Sequence, residues 1–362
     1  MNSFYLDQEM DALFRLGLPY CELIVRQGHR LLYHGSRGSG GEGKRFFLYS
    51  ASKVMTVTAA MQLVEKGQLQ LDAPLSRYLP EFADAFILKD GKRCPPDTVM
   101  TPRHLFTMSA GLNYRLDTPY ILEAAAQPGS GTRDIVKSFI KAPLDFSPGE
   151  RFQYSLCHDV LGALIEAISG RTLAQYMREI IFEPLGMRRT SFDYTQAELA
   201  PKYLFQNGVY RPDPLKNAYI LAPGYYSGGA GVISDAQDLS LFADALSCKG
   251  LSENGYRVLK PETIDLMRTD QMPTVLKHNN FSCAAGEEFS YGLGVHTLTR
   301  RIASTKAPLG VFGWDGAAGA YVMCDPQNQL SIAFITHVHC WPQIRDVFHR
   351  PIRNAAYAAL EG

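Results

Sequence analysis

Phe47-Leu48-Tyr49-Ser50-Ala51-Ser52-Lys53 sets an apolar run against a serine and, three residues on, a lysine. The positions that follow, Val54, Val57, Met61 and Val64, are apolar at helical spacing, and Gly67 supplies a stop. An extended segment is therefore expected to deliver Ser50 onto the start of a long helix. Residues three apart on a helix are neighbours, so the Lys53 amine reaches the Ser50 hydroxyl, and the positive end of the helix dipole disfavours an ammonium there. A neutral lysine so placed is a base for a serine nucleophile.

By itself the spacing says little, because at average residue frequencies a Ser-x-x-Lys match turns up roughly once in a chain of this size. Ser138-Phe139-Ile140-Lys141 is such a match. It is polar-flanked, runs into Pro143 and has no extended run before its serine, so it reads as surface helix. Taken alone, Ser50 reads equally well as a helix-capping serine, and the rest of the chain has to decide.

With 362 residues, 46% hydrophobic and 20% charged, the chain is globular and large enough for two domains or one with an insertion. Lys+Arg and Asp+Glu both number 36, which gives no global field toward nucleic acid or an anionic membrane. A small neutral substrate fits that balance. The amino terminus, Met1-Asn2-Ser3-Phe4-Tyr5-Leu6-Asp7, has no basic start or apolar signal core, and no apolar run is long enough to span a bilayer. Seven scattered cysteines read as reduced thiols, and the expected location is cytoplasmic.

Residues 21–34 read as a hairpin around Gln27-Gly28, and residues 291–298, 319–325 and 329–337 as further strands. Helices are expected at Thr101-Pro102-Arg103-His104-Leu105-Phe106, over 156–168 ending at Gly170, after Asp235, over 261–267 and over 344–360. Strands at both ends around a helical middle predict one sheet interrupted by an insertion. The expected division is a sheet domain of residues 1–69 and 235–362 with a helical domain of residues 70–234. The glycine-rich run 35–43 matches a phosphate-binding loop as far as Lys44, but Arg45 stands where a magnesium-binding Ser or Thr belongs and an extended run follows. A mobile hairpin end is the better reading.

Downstream, Ser147-Pro148-Gly149-Glu150-Arg151-Phe152-Gln153-Tyr154-Ser155-Leu156 is a turn that places a tyrosine at the entrance to a buried helix. With Ser50 and Lys53, this pattern resembles the serine β-lactamase and penicillin-binding-protein superfamily, most closely its class C-like and carboxylesterase branch. Leu63-Val64-Glu65-Lys66-Gly67, Tyr78-Leu79-Pro80-Glu81-Phe82, Ser109-Ala110-Gly111-Leu112, Pro184-Leu185-Gly186-Met187 and Gly228-Gly229-Ala230-Gly231 are similar to landmarks of that family, in order. The resemblance implies an α/β fold, an antiparallel sheet flanked by helices with an inserted all-helical domain and the site in the cleft between them. It makes Ser50 the acylated nucleophile, Lys53 its proton acceptor and Tyr154 a second acid/base group, with a mutually hydrogen-bonded Lys–Tyr pair tuning both.

The family's third motif, Lys-Thr-Gly or His-x-Gly on a strand, falls at Trp314-Asp315-Gly316. Gly316 keeps the strand open to substrate, and the Ala317 amide joins that of Ser50 as the implied oxyanion hole. Trp314 replaces a cationic or polar residue, Asp315 introduces a negative charge, and Leu156 stands where β-lactamases carry an asparagine. A β-lactam's carboxylate and amide lose their partners, whereas an aromatic wall suits an apolar acyl or alcohol group. Tyr225 and Tyr226 are positioned to line the cleft. His158 and Asp159 follow Tyr154 closely enough to tune it but read better as capping or surface residues, and His337-Val338-His339 lacks both an adjoining carboxylate and zinc-ligand spacing.

The expectation is thus a serine hydrolase working through an acyl-enzyme on a small ester or amide, most closely a carboxylesterase, without metal, organic cofactor, nucleic acid or membrane partner. The alternatives are a β-lactamase or D-amino-acid peptidase, and an idle binding or sensor module. Neither the natural substrate nor the oligomeric state is encoded in these motifs.

Overall fold

A computed structural model of the chain describes residues 3–194, 198–276, 288–341 and 344–361. Cys283 lies outside them. Seven antiparallel strands form one sheet in the order Arg30–Gly38, Tyr20–Gln27, Leu330–Thr336, Tyr321–Asp325, Phe312–Asp315, His296–Leu298 and Phe289–Tyr291. The hairpin at the amino-terminal end thus pairs in register with the chain's last long strand, Cys21 opposite Thr336 and Gln27 opposite Leu330.

Alternation along these strands feeds two cores. Leu23, Val25, Met323, Ile332 and Phe334 point to one face, where Leu6, Met10 and Leu13 of the helix Phe4–Arg15 meet Phe348, Ile352 and Ala356 near the carboxyl terminus. Ile24, Val322, Ala333 and Ile335 point to the other, against Leu239, Phe242 and Ala243 of the helix Ala236–Ser247. Asp235 caps that helix through the Asp238 amide at 2.9 Å. Residues 70–234 hold the helices Pro102–Phe106, Pro119–Ala126, Thr132–Val136, Cys157–Ser169 and Leu173–Met177, together with two short hairpins, Ile87–Lys89 with Lys92–Cys94 and Lys202–Gln206 with Val209–Asp213.

Between these two parts runs the helix Ser52–Glu65. Its apolar spacing predicts one buried face, yet every residue from Ser52 to Leu63 is buried, because the helix packs against the helices Cys157–Ser169 and Leu173–Met177 and also against the strand Phe312–Asp315. Its polar side chains are therefore matched individually. Thr56 donates to Gly228 O at 2.7 Å, Gln62 to Val258 O at 2.9 Å, and Ser52 accepts from the Val232 amide at 3.1 Å.

Four expectations need revision. The run 291–298 divides into two strands around a tight turn, with Gly294 at φ +76° and no room for a side chain at Gly292, whose Cβ would stand 2.1 Å from Met267 O. The closing helix begins with a widened turn, Arg345–His349, before Arg350–Glu361, where Pro351 cannot donate to the preceding turn. The glycine run expected as a mobile hairpin end is anchored: Gly41 is buried, with the Tyr20 ring 2.2 Å from where its Cβ would be. Ser138, assigned to a surface helix, is buried and bonded to Ile135 O at 2.6 Å.

Four histidines are buried at 3% exposure or less: His158, His296, His337 and His349. Desolvation lowers the first three from 6.5 to about 3 and the last to about 4. A depressed folded-state value means the unfolded chain binds the extra protons, so the associated stability is complete above pH 6.5 and is lost as pH falls. At pH 5 each ring withdraws up to about 2 kcal/mol, which together matches the net stability of a domain. Thermal unfolding followed by circular dichroism is expected to show a midpoint that is flat from pH 7 to 8 and drops steeply between pH 6.5 and 5.

Candidate active site

The site begins at a strained turn. Phe46 and Phe47 pair with Ser234 and Ile233, and the Leu48 amide donates to Val232 O at 3.0 Å. The chain then reverses through Tyr49 at φ +47°, a left-handed conformation unfavourable for a bulky residue. Packing holds it there: the Tyr49 ring lies 4.6 Å from the His339 ring and 5.7 Å from that of Phe47. Its hydroxyl is 3.3 Å from the buried Lys202 amine, itself bonded to Lys216 O at 2.7 Å and paired with Asp213 at 3.2 Å. A single helical turn, Tyr49–Ala51, follows and carries Ser50.

Lys53 is fully buried. Its Nζ has three oxygen neighbours: Ser50 Oγ at 3.1 Å, Tyr114 OH at 3.0 Å and Gly229 O at 2.7 Å. An ammonium has three N–H groups to give and so satisfies all three. A neutral amine keeps two, for Gly229 O and Tyr114, and turns its lone pair to Ser50. The same cage thus accommodates the lysine in either protonation state.

Tyr114 is the residue that sequence reasoning missed. It lies just beyond the Ser109-Ala110-Gly111-Leu112 landmark, but no spacing rule links it to a lysine 61 positions away. Burial and the neighbouring Tyr154 push its phenol well above the usual range, so it stays protonated. Tyr154 itself corrects the expected Lys–Tyr hydrogen bond. Lys53 Nζ sits over the face of the Tyr154 ring, 4.8 Å from its centre, while the Tyr154 oxygen lies 3.1 Å from Trp314 Nε1. The two rings are stacked, with centroids 5.6 Å apart and planes 26° from parallel. An indole N–H only donates, so the Tyr154 oxygen accepts and its own proton is left to point elsewhere.

Asp315 presents no free charge. It is buried, and Arg345 binds both carboxylate oxygens at 2.8 Å, which holds the Asp315 pKa low against the cost of burial. The Arg345 guanidinium lies 5.8 Å from the centre of the Trp314 ring. Gly316 presses the strand end against the nucleophile turn: a Cβ there would stand 2.1 Å from Leu48 O. Ala317, next along, is exposed, and Ser50 sits in a first helical turn where amides have no intrahelical partner.

The remaining sequence candidates are spread more widely. Leu156 is only 4% exposed and packs in the main core at the start of the helix Cys157–Ser169. Tyr226 meets Phe192 edge to face and, with Phe192, Tyr194, Ile220 and Leu221, lines a cavity of about 510 Å³. His158 and Asp159, expected at the surface, are 0% and 2% exposed. His337 and His339 face different partners, Ala200 O at 3.1 Å and the Asp213 carboxylate at 3.3 Å. Elsewhere His29, Asp244 and Cys248 bring ligand atoms within 4.8 Å of one another, with His29 Nδ1 and Asp244 already bonded at 2.7 Å.

Comparison with known proteins agrees with this geometry. A family model described as Beta-lactamase matches residues 15–354. Esterase EstB of Burkholderia gladioli is 29% identical over 99% of this chain and 97% of its own. Protein Rv1367c of Mycobacterium tuberculosis is 31% identical over 82% of this chain and 77% of its own. The solved structure of EstCE1, a hydrolase with promiscuous acyltransferase activity, superposes with a TM-score of 0.81 at 26% identity, covering 98% of each chain.

The Gly316–Leu48 contact yields a sharp expectation. Gly316→Ala has to push the strand end away from the nucleophile turn, since backbone stands in the way. Labelling of Ser50 by a fluorophosphonate probe is expected to slow about 100-fold while the circular dichroism spectrum is kept, as misplacement of reacting groups by an ångström or less costs rate before it costs fold.

Proposed function

Because the chain belongs to the beta-lactamase family and is a serine hydrolase, we propose that Ser50 is its acylated nucleophile and that its substrates are small carboxylic esters. The observation that carries this reading is the caged Lys53 amine, 3.1 Å from Ser50 Oγ and walled by the rings of Tyr114 and Tyr154. The names of EstB and EstCE1 support esters as the substrate class.

In the acylation step the Ser50 hydroxyl proton passes to Lys53 Nζ as Oγ bonds to the ester carbonyl carbon. The carbonyl oxygen takes the negative charge, with the Ser50 and Ala317 amides as its donors. Collapse of this intermediate breaks the bond to the alcohol oxygen, which needs a proton; the Tyr154 hydroxyl, its oxygen engaged by Trp314, supplies it and remains as a phenolate beside the Lys53 ammonium until the water of the second step returns a proton to it and Lys53 returns its own to Ser50. Water then attacks the acyl-enzyme by the reverse sequence and releases the carboxylic acid, or a second alcohol replaces water and an ester is formed.

Two features favour an ester over a β-lactam. Trp314 fills the place of a cationic side chain with a neutral ring, and Asp315 and Arg345 cancel each other's charge. A substrate carboxylate finds no uncommitted cation in this wall, whereas an apolar alcohol or acyl group finds the rings of Tyr114, Tyr154, Tyr219 and Trp314.

Parallel assays with a short-chain p-nitrophenyl ester and a chromogenic cephalosporin test the proposal. Ester hydrolysis is expected to exceed cephalosporin hydrolysis, and Ser50→Ala to abolish both; faster cephalosporin turnover would install a β-lactamase in its place, and an ester rate untouched by Ser50→Ala would refute the nucleophile. Trp314→Phe keeps the stacked ring but removes the N–H bonded to Tyr154. It is expected to lower kcat about 10-fold with little change in KM, since the lost bond stabilises the proton-donating step.

A further inference from the structure

Asp159 stands in the first turn of the helix Cys157–Ser169, on the far side of the Gly228–Gly231 segment from the nucleophile helix. Its carboxylate is buried and well supplied with donors. Oδ1 accepts from Tyr225 OH at 2.8 Å and from Ser227 Oγ at 2.6 Å, and the Gly229 backbone N–H bonds to the same carboxylate. Gly229 then presents its carbonyl to Lys53 Nζ at 2.7 Å. Burial raises the Asp159 pKa, while Ser227, Lys53, Tyr225 and the Gly229 amide each act to lower it; the two backbone groups of one glycine thus connect this buried carboxylate to the amine beside Ser50.

The absence of a side chain at Gly229 is what allows the two groups so close. A Cβ there would lie 2.6 Å from Asp159 Oδ2 and 3.4 Å from Lys53 Nζ, which puts carboxylate and amine no more than about 6 Å apart. Of the other groups around the amine, Tyr114 is held protonated, the Cys157 thiol is pushed up to about 11 and His158 is pushed down to about 3, all by burial. Each is therefore neutral near pH 7, and Tyr154 offers its ring face. Tyr219 and Tyr225, the phenols nearest Asp159, are raised by burial as well.

We propose that Asp159 is a positioning residue for Lys53, fixing the Gly229 carbonyl that grips the amine and supplying the negative charge that stabilises the ammonium formed when the Ser50 proton is transferred. The proposal rests on Ser50 and Lys53 being nucleophile and base. When Oγ bonds to the acyl carbon its proton moves to Nζ, and a cation appears in a dry site. Without a nearby anion that transfer is uphill. With Asp159 across one glycine it is offset, and no atom of Asp159 needs to touch substrate.

The test is the pH dependence of Ser50 labelling by a fluorophosphonate probe, which reports on the nucleophile whatever the natural substrate is. Asp159→Asn keeps the Oδ1 contacts with Tyr225 and Ser227 but removes the charge. The wild type is expected to show an acidic limb. In Asp159→Asn that limb moves down by one to two pH units, roughly the effect of a unit charge removed at this distance, and the plateau rate falls about 10-fold. Ser227→Ala, which leaves the charge in place, keeps the limb of the wild type to within a few tenths of a unit.

A slower Asp159→Asn with an unmoved limb makes the residue a structural prop and overturns the proposal, as does a Ser227→Ala limb that moves equally far. Should Asp159→Asn fail to fold by circular dichroism, Ser227→Ala decides: a plateau within tenfold of the wild type supports the charge, and a loss beyond 100-fold assigns the effect to the tether and refutes it. Absence of Ser50 labelling in the wild type at any pH removes the nucleophile itself, an outcome separate from all of these.

Discussion

A lysine amine with no access to water is the constraint around which this molecule is built. Burying such a group is costly unless each of its hydrogen-bonding positions is matched, and here the matches come from three separate stretches of chain: the turn before the helix at Ser50, the loop at Tyr114 and the glycine segment at Gly229. Each stretch needs its own support. Ser50 is aimed by the left-handed Tyr49, which the Lys202, Asp213 and His339 cluster holds from behind. Gly229 is fixed by the donors gathered on Asp159. The cleft's chemistry is a by-product of keeping one amine solvated by protein.

The same logic explains why the wall opposite the lysine is neutral. Trp314 supplies one directed N–H to the phenol oxygen of Tyr154 and brings no charge of its own. Arg345 does bring a positive charge close, but its Nε and Nη2 bind Asp315, thirty residues back. The strand that carries both residues can approach the nucleophile turn only because Gly316 has no side chain to meet Leu48 O. Shape and charge at this wall are therefore set together.

What was legible beforehand follows the range of the interactions. Ser50 and Lys53 share one helical turn, and Tyr154 and Gly316 lie in segments that resemble family motifs, so these four candidates could be named from local pattern and resemblance together. The alternation in residues 21–34 and 329–337 likewise announced the sheet. Tyr114, the pairing of Asp315 with Arg345 and the burial of Asp159 depend on contacts between distant segments, for which a single sequence carries no spacing signal. The expected Lys53–Tyr154 bond failed for the same reason: the competitor for the tyrosine oxygen lies 160 positions away. The apolar spacing of the helix Ser52–Glu65 likewise carried no sign that Thr56 and Gln62 would be buried as well, their partners being carbonyls elsewhere in the fold.

The nucleophile helix, enclosed on one side by a sheet whose central strands come from the chain's last quarter, has a consequence for biosynthesis. A polypeptide emerging from the ribosome carries Ser50 and Lys53 early, but Gly229, Trp314 and the strand Leu330–Thr336 that pairs with the amino-terminal hairpin are made much later. Until then the lysine has no cage and the serine no oxyanion partner, so the nascent chain carries an ordinary hydroxyl among ordinary solvated side chains. Assembly of the cage around Lys53 is in this way tied to completion of the chain.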